Sequence, residues 1–258
     1  MSPLRNTRPL TARSVLASVL LGTDPPQLPT ALLVRTAKLF GISEGTTRTA
    51  LSRMVAAGEA VGENGGYRLA GRLVARQARQ SASRRAETRP WDGTWELATV
   101  DGDQARSATD RAALRGALTA LRLTELRDGV WTRPDNLNTD RAPEARDLTA
   151  RWCRWWQGSS PEPLPDPSSL WDLAGWARGA QELRADMTEL TGSLGRGDRD
   201  RLAEGFVTSA AVLRHLQADP LLPRPLLPPD WPGEVLRADY DRYDAAYRAV
   251  LRAWFTAA

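Results

Sequence analysis

The chain has 258 residues, 41% of them hydrophobic and ten of them Trp, which is material for two or three domains. One cysteine, Cys153, and one histidine, His215, exclude an internal disulfide and a Cys- or His-based metal cluster. No run of about 18 apolar residues marks a membrane span. Residues 1–10 carry arginines with no apolar stretch before Thr11, unlike a signal peptide, so a cytoplasmic address is expected.

The net charge of +4 is unevenly spread. Residues 1–90 hold 14 basic and 5 acidic side chains, and residues 91–258 hold 21 and 26. All but one of the 35 basic residues are Arg, as a GC-rich coding bias would give. Bias explains Arg over Lys but not the concentration at one end. A basic third on a mildly acidic body is the composition of a phosphate-binding module attached to something else.

Three short amphipathic helices are expected before residue 60. The first covers 11–21, with Val15, Leu16, Val19 and Leu20 on one stripe and Thr11 as its cap. Gly22 and the pair Pro25-Pro26 end it. The second covers 29–40, with Pro29 in a tolerated first-turn position and Leu32, Leu33, Ala37 and Phe40 inward. Gly41 stops it, Ile42 enters the turn, and Ser43 caps a third helix over 44–57. That helix is expected to bury Thr47, Ala50, Leu51, Met54 and Val55, leaving Gly45, Arg48, Thr49, Ser52 and Arg53 outside.

Two helices joined by a short Gly-containing turn make a helix-turn-helix. An outer face of small polar residues and two arginines suits the DNA major groove, where Arg binds guanine bidentately and Thr or Ser reaches base edges or phosphates. Residues 59–63, the turn Asn64-Gly65-Gly66 and residues 67–69 then read as a β-hairpin. Behind a recognition helix such a hairpin is a wing, with Arg68 placed to touch a phosphate. The candidate DNA-binding residues are therefore Ser43, Thr46, Arg48, Thr49, Ser52, Arg53 and Arg68. Residues 70–89 contain Arg72, Arg76, Arg79, Arg84 and Arg85 with few apolar markers, and read as a solvated connecting helix; phosphate contact from its basic face is the other reading.

Residues 94–100 alternate as a strand after the turn Trp91-Asp92-Gly93, 110–121 form a helix, and 129–134 form a strand ending at Pro134. Residues 142–156 fit helix or strand equally, because Trp152, Trp155 and Trp156 match either period. This order suits a small ferredoxin-like α+β domain. A proline-rich linker at 161–167 precedes helices expected over 169–194, 198–217 and 234–255. The segment 219–233 has six prolines and cannot be helix; its leucines are expected to cover the helices.

Catalytic chemistry finds little footing. A nucleophilic triad would need His215, for which no orienting partner is evident, and Cys153 reads as a small apolar filler. Asp101 and Asp103 raise a metal-dependent nuclease as the alternative function, against the plainer reading of a loop turn. Trp95, Trp131, Trp155, Trp156, Trp171 and Trp176 are expected to pack cores or a dimer interface.

Five segments in order resemble the PaaX-type repressors of phenylacetate degradation in bacteria. They are Arg48-Thr49-Ala50-Leu51-Ser52-Arg53-Met54, Trp91-Asp92-Gly93-Thr94-Trp95, Gly129-Val130-Trp131-Thr132-Arg133-Pro134, Leu170-Trp171-Asp172-Leu173, and Asp219-Pro220 with Leu226-Leu227-Pro228-Pro229-Asp230-Trp231-Pro232-Gly233. The resemblance implies a groove-facing role for Arg48, Thr49, Ser52 and Arg53, and a middle domain like the small CRISPR-associated endoribonucleases. It also implies a homodimer on double-stranded operator DNA with inverted repeats, and repression relieved by phenylacetyl-coenzyme A, so that an aryl- or acyl-coenzyme A thioester is the expected effector class. Many members carry His-Glu and Arg pairs on the helix before the Asp-Pro segment. Here that stretch is Thr208-Ser209-Ala210-Ala211-Val212-Leu213-Arg214-His215, so the imidazole is displaced and the carboxylate absent, which points to a different effector or none.

The expected architecture is α+β: a winged helix-turn-helix over 1–70, a connecting helix or linker over 71–90, a ferredoxin-like domain over 91–165 and a helical C-terminal domain over 166–258. No cofactor and no enzymatic activity are expected.

Overall fold

A computed structural model describes residues 11–23, 25–102, 106–138, 141–159 and 161–256. The first elements are α1 (Ala12–Leu21), β1 (Gln27–Pro29), α2 (Thr30–Lys38), α3 (Glu44–Ala56), β2 (Ala60–Glu63), β3 (Gly66–Leu69) and α4 (Arg72–Arg85). The middle runs β4 (Trp95–Val100), α5 (Ala108–Ala120), β5 (Thr124–Arg127), β6 (Val130–Pro134), α6 (Pro143–Ala150) and β7 (Cys153–Ser159). It is followed by α7 (Pro167–Leu170), α8 (Leu173–Gly195), α9 (Leu202–Gln217) and α10 (Gly233–Thr256). The class is mixed α+β, with two small antiparallel sheets. None of the helices is long and apolar enough, among the described residues, to cross a membrane. The chain divides into two compact units: one joins the chain up to Arg84 with residues 179–217 and the chain from Pro232, the other joins 85–178 with 218–231.

In the first unit, Thr11 accepts a hydrogen bond from the Ser14 N–H and opens α1, whose Val15, Leu16, Leu20 and neighbours are buried. Three strands pair in the order β1-β3-β2. The β2–β3 hairpin turns through Asn64 and Gly65, both at positive φ, as a tight two-residue turn requires. Strand β1 has no counterpart in the sequence reading, since three residues ending in proline carry no alternation. Gly66 admits it: a Cβ there would sit 2.5 Å from the Leu28 carbonyl oxygen.

Glu59 ties this unit together. Its carboxylate is 1% exposed, yet it accepts from Arg13 of α1 (Nε to Oε2, 2.7 Å) and from Arg72 of α4 (Nε to Oε1, 3.0 Å). Those bonds, Arg13's foremost and working against burial, lower its pKa from 4.5 to about 2.

Helix α4 departs from a plain solvated connector. Gln77 donates to the Leu21 and Thr23 carbonyls at 3.2 and 3.1 Å. Arg84 bonds Asp241 and Asp244 of α10, and Arg237 reaches back to the Ser83 carbonyl. Helix α2 also meets the C-terminal helices: Phe40, just past its end, packs edge-on to Phe206 of α9 at 5.0 Å, and Arg35 lies over Trp254 of α10 at 4.3 Å. The last expected helices shift slightly: α9 begins at Leu202 rather than 198.

In the second unit, β4, α5, β5, β6, α6 and β7 follow one another, and the sheet runs β5-β6-β4-β7 with every pair antiparallel. Ala98, Leu114, Leu118, Leu121, Leu123, Trp131 and Cys153 form its core. The ambiguous stretch 142–156 contains both elements: Pro143 starts α6, then Cys153 to Trp156 align with Val100 to Leu97 of β4. The tryptophans divide. Trp95, Trp131 and Trp176 are buried, whereas Trp156 is 53% exposed on an edge strand and donates to Thr99 Oγ1. The helix expected over 169–194 breaks at Trp171, which is extended, because the Asp172 carboxylate caps α8 through the Gly175 N–H at 2.8 Å.

The proline-rich segment 219–233 is corrected most. Its leading part belongs with the central sheet rather than over the C-terminal helices. Arg133 of β6, fully buried, donates to the carbonyls of Pro134 and Leu221 and to Asn136 Oδ1, and Asn136 donates to Leu221. A chain rich in prolines lacks N–H groups but keeps its carbonyls, which need donors when buried. Arg133 supplies them. Leu221 itself sits at φ 53°, left-handed for a branched residue, with its N–H on Asp219 Oδ1 at 2.9 Å. Trp231 closes the segment by stacking on Trp176 at 4.4 Å.

Two stability measurements follow. The folded pKa of Glu59 lies below its unfolded value, so its contribution is complete above pH 4.5 and is lost as pH falls through about 2. Denaturant titrations across that window should show about 3 kcal/mol of acid-sensitive stability that Glu59→Gln removes. Arg133→Ala should cost about 3 kcal/mol, because buried carbonyls are left without donors; an unchanged urea midpoint would contradict the role given to Arg133.

Candidate nucleic-acid interface

The turn before α3 sets its orientation. Gly41 takes φ 69°, and Ser43, extended at φ −66° and ψ 158°, accepts from the Thr46 N–H at 3.2 Å. The Ser43 and Thr46 hydroxyls bond each other at 2.9 Å, so both serve the cap while remaining exposed. From that cap the 3.6-residue period buries Thr47, Leu51 and Met54 against α1 and α2. Ala50 is half-buried and Val55, expected inside, is 42% exposed, since it falls on the last turn beyond the packed stripe.

The opposite face carries Gly45, Arg48, Thr49, Ser52 and Arg53, all exposed. Thr49 donates to the Gly45 carbonyl at 2.9 Å and Ser52 to the Arg48 carbonyl at 3.1 Å, which fixes both hydroxyls and leaves their lone pairs outward. The Arg48 guanidinium pairs with Glu44 one turn earlier, Nη2 to Oε1 at 2.8 Å, in a surface ion pair. Such pairs are worth little and exchange readily for a phosphate or a base edge. Arg53 makes no ion pair among the described residues.

Arg68 stands apart from this face. It lies on the central strand β3 between Gln27 and Val61, and its Nε donates to Glu63 Oε1 at 2.8 Å. The structure therefore brings six of the seven candidates onto or around one helix and gives the seventh a carboxylate partner. Sequence reasoning missed the Arg13–Glu59–Arg72 clamp behind α3; a lone acidic residue in an arginine-rich stretch was the available signal.

The nuclease reading gains no site. Asp101 follows β4 and pairs with Arg154 at 3.8 Å, and Asp103 lies outside the described residues. Among the described residues no group of three or more His, Cys, Asp or Glu side chains could hold a metal. Cys153 is buried in the core, which raises its thiol pKa, and His215 is half-buried with its ring against Gly179.

Three family models match successive parts of the chain: PaaX-like protein over residues 11–73, PaaX protein central Cas2-like domain over 88–162, and PaaX-like protein C-terminal domain over 171–257. A basic, outward-facing helix on such a framework defines the class as a transcriptional regulator. The chain belongs to the PaaX family. Among solved structures it is similar to the uncharacterized protein Rv0674 from Mycobacterium tuberculosis, at 41% identity and a TM-score of 0.73, covering 94% of this chain and 98% of that one. No curated protein matches it.

Glu44 is the acidic exception on this face. Removing its charge in Glu44→Gln should tighten binding to duplex DNA of arbitrary sequence several-fold at low salt, and the gain should vanish at high salt. Fluorescence anisotropy over a salt series measures it, and weaker binding would show that Glu44 is itself a contact.

Proposed function

We propose that this chain is a homodimeric repressor whose residues 1–70 form a winged helix-turn-helix, with α3 as the helix that enters the major groove of double-stranded operator DNA. One observation carries the reading. The arginine-bearing side of α3 faces outward while its apolar side is packed, as groove insertion demands. Arg48 and Arg53 read base edges, Thr49 and Ser52 offer acceptors to bases or fix the helix against phosphates, and Ser43 and Thr46 hold its N-terminus. Arg68 contributes from the wing once it exchanges Glu63 for a phosphate.

The remaining modules follow as residues 71–90 connecting, 91–165 ferredoxin-like and 166–258 helical. The strand order β5-β6-β4-β7 supports the middle assignment. Two copies place two α3 helices on successive turns of an inverted repeat. An aryl- or acyl-coenzyme A thioester is the effector class to test. The stretch 208–215 supports an effector other than phenylacetyl-coenzyme A: Thr208 is fully buried, and Ser209 bonds the Tyr240 hydroxyl at 2.9 Å.

Arg48→Ala and Arg53→Ala should each cost roughly 1–3 kcal/mol per half-site in a gel-shift on the DNA upstream of the protein's own gene. Wild-type affinity in both variants would reject α3 as the recognition helix. The same assay run with a panel of acyl-coenzyme A esters identifies the effector.

A further inference from the structure

The five arginines of α4 do not share one fate. Arg72 is taken by Glu59, Arg84 by Asp241 and Asp244, and Arg85 by Glu87. Arg76 and Arg79 are exposed and form no ion pair or hydrogen bond through their guanidinium groups among the described residues. Arg214 of α9, exposed and without an ion pair among the described residues, lies near enough for its charge to act on Arg76. Arg13 completes the group, held on Glu59 beside Arg72. Of these five guanidinium groups two are paired with Glu59, and three have no ion pair among the described residues. Partial burial and the like charges of Arg13, Arg214 and Arg79 lower the Arg76 pKa.

Concentrating unpaired cations on one surface is unfavourable unless an anionic partner offsets it. Arg72, Arg76 and Arg79 stand at i, i+4 and i+7, one face of α4 spanning about 10 Å. A row of that length can face more than one phosphate of a DNA backbone. The patch and α3 belong to one compact unit. Glu59, which anchors two of its members, follows the end of α3 directly, with its N–H on the Met54 carbonyl at 2.9 Å.

We infer that Arg76, Arg79 and Arg214, beside the Arg13–Glu59–Arg72 clamp, form a second, sequence-independent contact surface for the phosphate backbone of the DNA held by α3. This rests on the DNA-binding reading and extends it: α3 selects the sequence, and the patch supplies affinity through released counterions. Its signature is a salt dependence with no base preference.

The experiment measures binding of the full chain to a duplex of arbitrary sequence by anisotropy across a NaCl series. Variants are Arg76→Ala/Arg79→Ala/Arg214→Ala, the matching triple Lys variant, and Arg48→Ala/Arg53→Ala. For the triple Ala variant the log–log salt slope should fall by about 1 per arginine removed, with tenfold or more loss of affinity at low salt. The Lys variant should keep the slope, and thermal melting of the Ala variant should be unchanged or raised, since it loses repulsion rather than bonds.

An unaltered slope in the Ala variant overturns the proposal. So does a slope lost equally in the Lys variant together with a lower melting temperature, which would make the arginines structural. Inorganic phosphate that raises the wild-type melting temperature but not that of the Ala variant, with the DNA slope untouched, would assign the patch to a small anion instead. A normal effect of Arg48→Ala/Arg53→Ala beside an unchanged triple-variant slope removes only the patch; no duplex binding by wild type removes both readings.

Discussion

The first unit depends on a carboxylate buried among guanidinium groups. Glu59 stands just before β2, the strand that follows α3, and its two oxygens fix Arg13 of α1 and Arg72 of α4. A buried charge is expensive when unpaired, and the two arginines make its burial possible. Helix α1, the root of the hairpin and the start of α4 are thereby held at one point. The outward side of α3 is presented from a rigid base. Because Gly58 takes φ 67° just before it, the turn from helix to strand is short and leaves Glu59 no route to solvent.

The second unit solves the opposite problem. Arg133 is a fully buried cation whose donors go to neutral oxygens, and burial lowers its pKa to about 9, which leaves it charged at neutral pH. It joins two of the five segments that carry the family resemblance, Gly129 to Pro134 and the start of the Asp219-Pro220 segment. A third and a fourth meet where Trp95 lies 6.4 Å from Trp171. Four of the five segments therefore belong to one core rather than to a surface that reads DNA.

Much of this was legible in the sequence because amphipathic periodicity reports burial directly. The stripes of α1 and α3, the Asn64-Gly65 turn, β4 and β6 lie where pattern and turn chemistry put them. Strand β1 was not legible, since its pairing is decided by Gly66 across the sheet and not by its own residues. Trp152, Trp155 and Trp156 fit two periods, so only the partner strand β4 could arbitrate. The destination of the proline-rich segment rests on Arg133 and Asn136, far away in the chain, and no local pattern encodes it. Of the site, the arginine face of α3 was readable from spacing. The sorting of α4's arginines into paired and unpaired required Asp241, Asp244 and Arg214, contributed by helices that sequence order places last.

Helix α2 and helix α4 are both bonded to the C-terminal helices, through Phe40 on Phe206, Arg35 over Trp254, and Arg84 on Asp241 and Asp244. The first unit is thus built from stretches far apart in the sequence. Exchanging residues 1–84 alone between relatives would strand Phe40 and Arg84 without their counterparts. A viable chimera must carry α9 and α10 along with the first four helices.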